Sequence, residues 1–180
     1  MKKTTLKIIL FFCFSTTIAQ NNISYPKGIY NTFTDYVTMR PTDVTTTFTI
    51  KATHKGTKYI FYDAQTNKRL KKPFAFSDGK NVYLRVKSCF KHLNQKDKGK
   101  QLRDDGNFYV KSMMLGKRYH YYESYFTSTA AALWGGAIGT ASARRVKALV
   151  FDAQSQEFNI FRNAKDFKHF VDTKLSLIHI

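Results

Sequence analysis

Apolar and polar residues alternate along much of this chain. Val44, Thr46, Phe48, Ile50 and Ala52 interleave with Thr45, Thr47, Thr49 and Lys51, and Val82, Leu84 and Val86 interleave with Tyr83, Arg85 and Lys87. A period of two is the signature of a β-strand, whose side chains point to opposite faces in turn. Short aromatic and β-branched runs extend the count: Tyr59-Ile60-Phe61-Tyr62, Phe108-Tyr109-Val110, Arg118-Tyr119-His120-Tyr121-Tyr122, Ala148-Leu149-Val150-Phe151 and Phe158-Asn159-Ile160-Phe161. Such residues fit a pleated, half-buried surface better than a helix.

Turn chemistry separates several of these runs. Asp78-Gly79 lies between Phe76 and Val82, and Asp105-Gly106 precedes Phe108; both pairs read as hairpin turns. A faint internal echo, Tyr62-Asp63-Ala64-Gln65-Thr66 against Phe151-Asp152-Ala153-Gln154-Ser155, predicts two more hairpin tips, because Asp, Ser and Thr bond nearby backbone groups. Two short helices bracket the strands. Asn31 or Thr32 caps a turn that places Phe33, Tyr36 and Val37 on one face before Pro41, and Asn163 caps Ala164 to Asp172 with Phe167, Phe170 and Val171 together. The expected fold is mainly β (α+β): an antiparallel sheet or meander of about seven or eight strands with two short helices and a Gly/Ala-rich segment.

The first nineteen residues read differently. A basic start, Met1 to Lys7, leads into Ile8-Ile9-Leu10-Phe11-Phe12-Cys13-Phe14, and Thr17 and Ala19 supply the small residues of a cleavage site after Ala19 or Gln20. These are the three parts of a secretory signal, and the apolar run is far shorter than the ~20 residues a spanning helix needs. Phe12 occupies the place where a lipoprotein signal puts a small residue before its cysteine. The chain therefore divides into a signal peptide, 1–19, and a single β-rich domain, 20–180. The expected location is the periplasm, cell envelope or exterior.

Composition sharpens this reading. The 180 residues are 43% hydrophobic and 16% aromatic, enough to bury a core and to exclude a disordered chain. Without the leader only Cys89 remains, so an internal disulfide is excluded and packing must hold the domain together. Cys89 reads as a small, partly buried hydrophobe at a strand end. The full chain carries net charge +18, and residues 51–118 hold 18 basic against 5 acidic residues. Within that stretch Lys68, Arg69, Lys71, Lys72, Arg85 and Lys87 are the candidate anion-binding residues. An exported protein meets little nucleic acid, so the expected counter-ions are anionic lipid, lipopolysaccharide or acidic polysaccharide. A generically solvated basic face is the competing reading.

Residues 127–143 are free of charge and rich in small side chains. Ala131, Gly135, Gly139 and Ala143 recur every fourth residue, so as a helix this stretch presents a smooth stripe for membrane contact or self-association. Only Leu133 and Ile138 favour insertion strongly, at about −0.3 to −0.6 kcal/mol each, which argues against spanning. A loop or a short helix packed on the domain is the alternative. Gly135-Gly136-Ala137-Ile138-Gly139 lacks both the GxGxxG spacing and the P-loop lysine.

Catalytic and metal chemistry find little footing. His54, His92, His120, His169 and His179 are scattered and read as solvated or strand-face residues. Asp104-Asp105-Gly106-Asn107 reads as a turn rather than a calcium loop, for want of downstream ligands. No nucleophile elbow or papain-like signature surrounds Cys89, and Glu123 and Glu157 form no glycosidase pair. No catalytic residue, metal site or cofactor is expected.

Gly28-Ile29-Tyr30, then Phe33-Thr34-Asp35-Tyr36 and Pro41, then Phe76-Ser77-Asp78-Gly79-Lys80-Asn81-Val82-Tyr83, and an Ala/Gly-rich stretch before a last hairpin complete the pattern. Together they resemble a family of small exported Bacteroidetes-type proteins of unknown function. The resemblance covers most of the chain after the leader and rests on turn and core residues. It implies an exported envelope protein and supplies no catalytic residues.

Overall fold

The computed structural model describes residues 23–53, 56–97, 107–127, 144–161 and 164–176. Its strands are β1 (Gly28–Tyr30), β2 (Phe48–Thr53), β3 (Lys58–Asp63), β4 (Ala75–Ser77), β5 (Val82–Arg85), β6 (Tyr109–Leu115), β7 (Tyr119–Thr127), β8 (Arg144–Asp152) and β9 (Glu157–Phe161). Its helices are α1 (Phe33–Val37), α2 (Val86–Cys89) and α3 (Ala164–Ser176), and a 3₁₀ turn, Phe90–His92, follows α2. The protein is mainly β, as expected. The nine strands among the described residues form one open antiparallel sheet ordered β1-β4-β5-β6-β7-β8-β9, with the β2–β3 hairpin joined to β6 through Tyr59 and Tyr109.

The count exceeds the expected seven or eight because three-residue β1 pairs with β4, and such a short segment carries no periodicity to read. Gly28, at φ +152°, opens that strand beneath Pro41: a Cβ there would lie 2.7 Å from the proline Cβ and 2.8 Å from the Asp43 carbonyl oxygen. Two expected strands are shorter than their alternation implied. Asp43 accepts the backbone N–H groups of Thr45 and Thr46 and both their hydroxyls, so this segment is a side-chain-held turn and β2 begins only at Phe48. After Arg85 the chain turns into α2, because a helical turn buries both Val86 and Cys89 where a strand would bury one face only.

Several local expectations hold. Thr32, not Asn31, caps α1 in a reciprocal box: Asp35 N–H donates to Thr32 Oγ1 at 3.1 Å, and Thr32 N–H donates to Asp35 Oδ2 at 2.8 Å. Asp78 turns β4 into β5 by accepting the N–H groups of Lys80 and Asn81, with Gly79 at φ +90°. The echoed segments are both turns. Asp63 accepts from Gln65 and Thr66, Asp152 accepts from Gln154, and the residue that follows each segment, Asn67 or Gln156, has positive φ.

Strand alternation is distributed over two buried faces. On one face Leu84, Val110, Tyr122, Leu149, Phe151 and Phe158 form the main core, capped by Tyr36 of α1 and by Val86 and Cys89 of α2. Their neighbours point the other way into two smaller cores. Ile29, Phe76, Tyr83 and Tyr109 meet Phe61 of β3, while Tyr121, Ala148 and Val150 meet Phe167 of α3. Tyr83, which alternation grouped with the outward-facing Arg85 and Lys87, is therefore buried: the β2–β3 hairpin covers its face. Phe61 stacks on Phe76 with ring centroids 4.0 Å apart. Helix α3 runs to Ser176, beyond the expected Asp172, and packs the predicted Phe167 and Phe170 against Tyr119, Tyr121 and Phe161.

Candidate functional site

The basic residues singled out in the sequence lie on the strap between β3 and β4 and at the β5–α2 junction. The strap runs back along β3: Asp63 N–H donates to the Lys68 carbonyl, Leu70 N–H donates to the Phe61 carbonyl, and Arg69 bridges Tyr62. Tyr109 of β6 fixes its far end by donating its hydroxyl to the Pro73 carbonyl at 3.0 Å. Lys68, Lys71, Lys72 and Lys87 are exposed, and Arg69 and Arg85 are half-buried.

The two arginines are held in place. Arg85 Nε donates to Ser88 Oγ at 2.6 Å and its Nη1 to the Lys71 carbonyl at 2.5 Å. Arg69 Nη2 donates to the Asn107 carbonyl at 2.5 Å. Among the described residues no carboxylate lies within ion-pair distance of either guanidinium. Both charges act on the Tyr109 phenol, although its burial dominates and pushes the pKa up. The structure thus brings Arg69, Lys71 and Arg85 together around one strap. Lys68 sits instead beside Asp63, whose carboxyl is lowered by the Thr66 backbone N–H first and by the Lys68 charge last. Ser88, Asn107 and Tyr109, which position this set, carry no sequence signal; each acts on a strap or strand brought near by folding.

A second polar group lies in the main core. Tyr36 Oη stands 2.7 Å from His120 Nδ1 and 3.0 Å from Tyr122 Oη, and Tyr25 Oη stands 3.3 Å from the same nitrogen. Tyr36, Tyr122 and His120 are all 0% exposed, so His120 is not a solvated strand residue. It shares a strand face with Tyr122, two positions on, and the alternation in Tyr119-His120-Tyr121-Tyr122 was the available signal. Burial lowers its pKa to about 4 and keeps the imidazole neutral. Nε2 has no hydrogen-bond partner among the described residues. The tautomer that places the proton on Nδ1, donating to Tyr36 and on to Tyr122, leaves an unmet acceptor rather than a costlier unmet N–H. This group ties α1, β7 and the segment before β1 together.

The other candidates separate. Cys89 is in α2 rather than at a strand end, and is wholly rather than partly buried; its Sγ donates to the Arg85 carbonyl at 3.2 Å, and burial pushes the thiol well above its ordinary pKa. A protonated, enclosed thiol is a poor nucleophile. His92 stacks on Phe33 at 3.7 Å between ring centroids, and His169 is exposed on α3. His54, His179 and Asp104 to Gly106 lie outside the described residues. Among the described residues no three His, Cys, Asp or Glu side chains gather as metal ligands.

Ala131, Gly135, Gly139 and Ala143 also lie outside the described residues. Thr127 of β7 and Arg144 of β8 are paired Cα partners. No helix among the described residues is long and apolar enough to cross a membrane.

An open groove of about 430 Å³ lies between the Asn94–Asp97 segment, β9 and α3, lined in part by Asn94, Asp97, Glu157, Asn159 and Phe170. Its polar groups are largely bound to one another. Asn94 Nδ2 donates to Asp97 Oδ2 and Asn159 Oδ1, and Ile160 N–H donates to Asp97 Oδ2. No protein-family model, curated protein or solved structure matches the chain.

Proposed function

We propose that this is a non-catalytic exported protein, of the small Bacteroidetes-type family it resembles, that binds an anionic component of the cell envelope through its basic face. One observation carries the reading. Arg69, Lys71 and Arg85 converge on a strap fixed by Tyr109, and no carboxylate among the described residues neutralises the two guanidiniums. The exposed Lys72 and Lys87 adjoin them in sequence, and the surrounding stretch 51–118 carries net charge +13. A surface of this kind draws polyanions by long-range attraction that salt weakens.

The test is co-sedimentation with phosphatidylcholine vesicles with and without phosphatidylglycerol, at low and high salt. Binding that needs the anionic lipid, falls with salt and weakens in K71E/K72E supports the reading. No binding at low salt overturns it. Export has its own measurement: the mass of the protein from the periplasmic fraction should begin at Gln20 or Asn21, and an intact Met1 chain confined to cytosol would refute it.

A further inference from the structure

We infer that Arg69 and Arg85 form a fixed pair of guanidinium donors selective for phosphate groups over other anions of equal charge. The inference rests on the anion-binding reading above and names its ligand chemistry. A guanidinium has five N–H donors in a rigid plane. Arg85 uses Nε–H on Ser88 and one Nη1–H on the Lys71 carbonyl, and Arg69 uses one Nη2–H on the Asn107 carbonyl. Each therefore keeps at least three donors while its plane is held by its own protein. All these partners are neutral oxygens, and among the described residues no carboxylate neutralises the positive charge that they orient.

Half-burial strengthens the case. A partly desolvated guanidinium meets less competition from water than an exposed lysine ammonium does. Its parallel N–H groups match two oxygens of a phosphate in a way that a point charge does not. Because the side chains are already ordered, binding loses little further rotamer freedom. Lys71, whose carbonyl anchors Arg85, has an exposed side chain free to add charge without setting geometry. A phosphomonoester fits this donor set whether it is carried on a lipid headgroup or free in solution.

The experiment compares the full chain with R69K/R85K, which keeps the charge and removes the forks. Vesicles of phosphatidylcholine are made anionic to equal surface charge with either phosphatidic acid or the carboxylate lipid cholesteryl hemisuccinate. Every arm shares the same leader, so differences report on the face alone. The wild-type chain should prefer phosphatidic acid by about tenfold, and R69K/R85K should bind both vesicles alike with the usual salt dependence. A thermal shift with millimolar inorganic phosphate separates the sources: stabilisation means that free phosphate suffices, and its absence beside retained vesicle preference assigns the lipid headgroup. Equal binding of wild type to both vesicles overturns phosphate selectivity but leaves the anion-binding reading standing, as does a preference that survives in R69K/R85K. Should the double variant fail to fold, the wild-type preference and the single R69K and R85K chains decide. No binding to either vesicle removes both readings.

Discussion

The hydroxyl of Tyr36 lies 2.7 Å from Nδ1 of His120, joining α1 to β7 across 84 positions of sequence inside the main core. Tyr25 and Tyr122 complete the polar surroundings, with Phe151 packed against the imidazole and no carboxylate among the contacts the structure gives it. Among the described residues a proton added to that ring has no counter-charge to meet.

Acid should therefore loosen the protein before its carboxylates titrate. The folded-state pKa of His120 is lowered from 6.5 to about 4 by burial, so the native state binds fewer protons than the unfolded chain. Its contribution is complete above about pH 6.5 and is lost as pH falls toward 4, by about 3 kcal/mol in all. His92, also lowered by burial, adds a slope of the same sign. Urea midpoints measured from pH 7.5 to 4 should fall steeply in the wild type and more gently in His120→Phe. An unchanged slope in that variant would remove His120 as the cause.

The carboxylates act in a lower window. Asp43 has its pKa lowered to about 2, chiefly by the Thr46 hydroxyl and the backbone N–H groups of Thr46 and Thr45. Its contribution is present above the ordinary carboxylate range and disappears as pH falls through about 2. The acid unfolding of Asp43→Asn should lose its steepest part below pH 4, read by circular dichroism; a curve unaltered there would contradict this.

Gly28 stands where a side chain has no room. Adding a methyl places carbon 2.7 Å from Pro41 and 2.8 Å from a backbone carbonyl, at a φ that non-glycine residues rarely adopt. Gly28→Ala should cost about 2 kcal/mol or more, read as a lowered urea midpoint with unchanged m-value. Gly56→Ala, which meets nothing within 4 Å, is the control for added bulk at positive φ.

Cys89 should be silent to thiol reagents in the native state. It is 0% exposed, and burial holds its thiol protonated. In a Cys13→Ser chain at pH 8, Ellman's reagent should react only after denaturant is added. Rapid native reaction would return Cys89 to consideration as a nucleophile.

Thr32 and Asp35 exchange two hydrogen bonds at the start of α1, the helix that delivers Tyr36 to His120. Thr32→Ala should destabilise by about 1 kcal/mol and Thr32→Ser by much less, since only the hydroxyl is used. Comparable losses in both would point to packing rather than capping.

The local grammar of this fold was legible in the sequence because it acts over a few residues. Asp63, Asp78 and Asp152 each bond backbone N–H groups two or three positions ahead, and Thr32 caps its own helix; no distant chain is needed. The aromatic and β-branched runs became strands for the same reason, through backbone geometry. Tertiary structure alone decided what each face meets. Tyr83 is buried only because the β2–β3 hairpin returns over it, Val86 turns into a helix because the core below accepts both it and Cys89, and His120 becomes dry only when α1 closes above β7. The same holds for the basic face: Arg69 meets Asn107 across 38 residues and Arg85 meets Lys71 across 14, pairings set by strand order and register. Periodicity specifies which residues share a side of a strand, but the sign of that side, wet or dry, is written by whatever the rest of the chain lays against it.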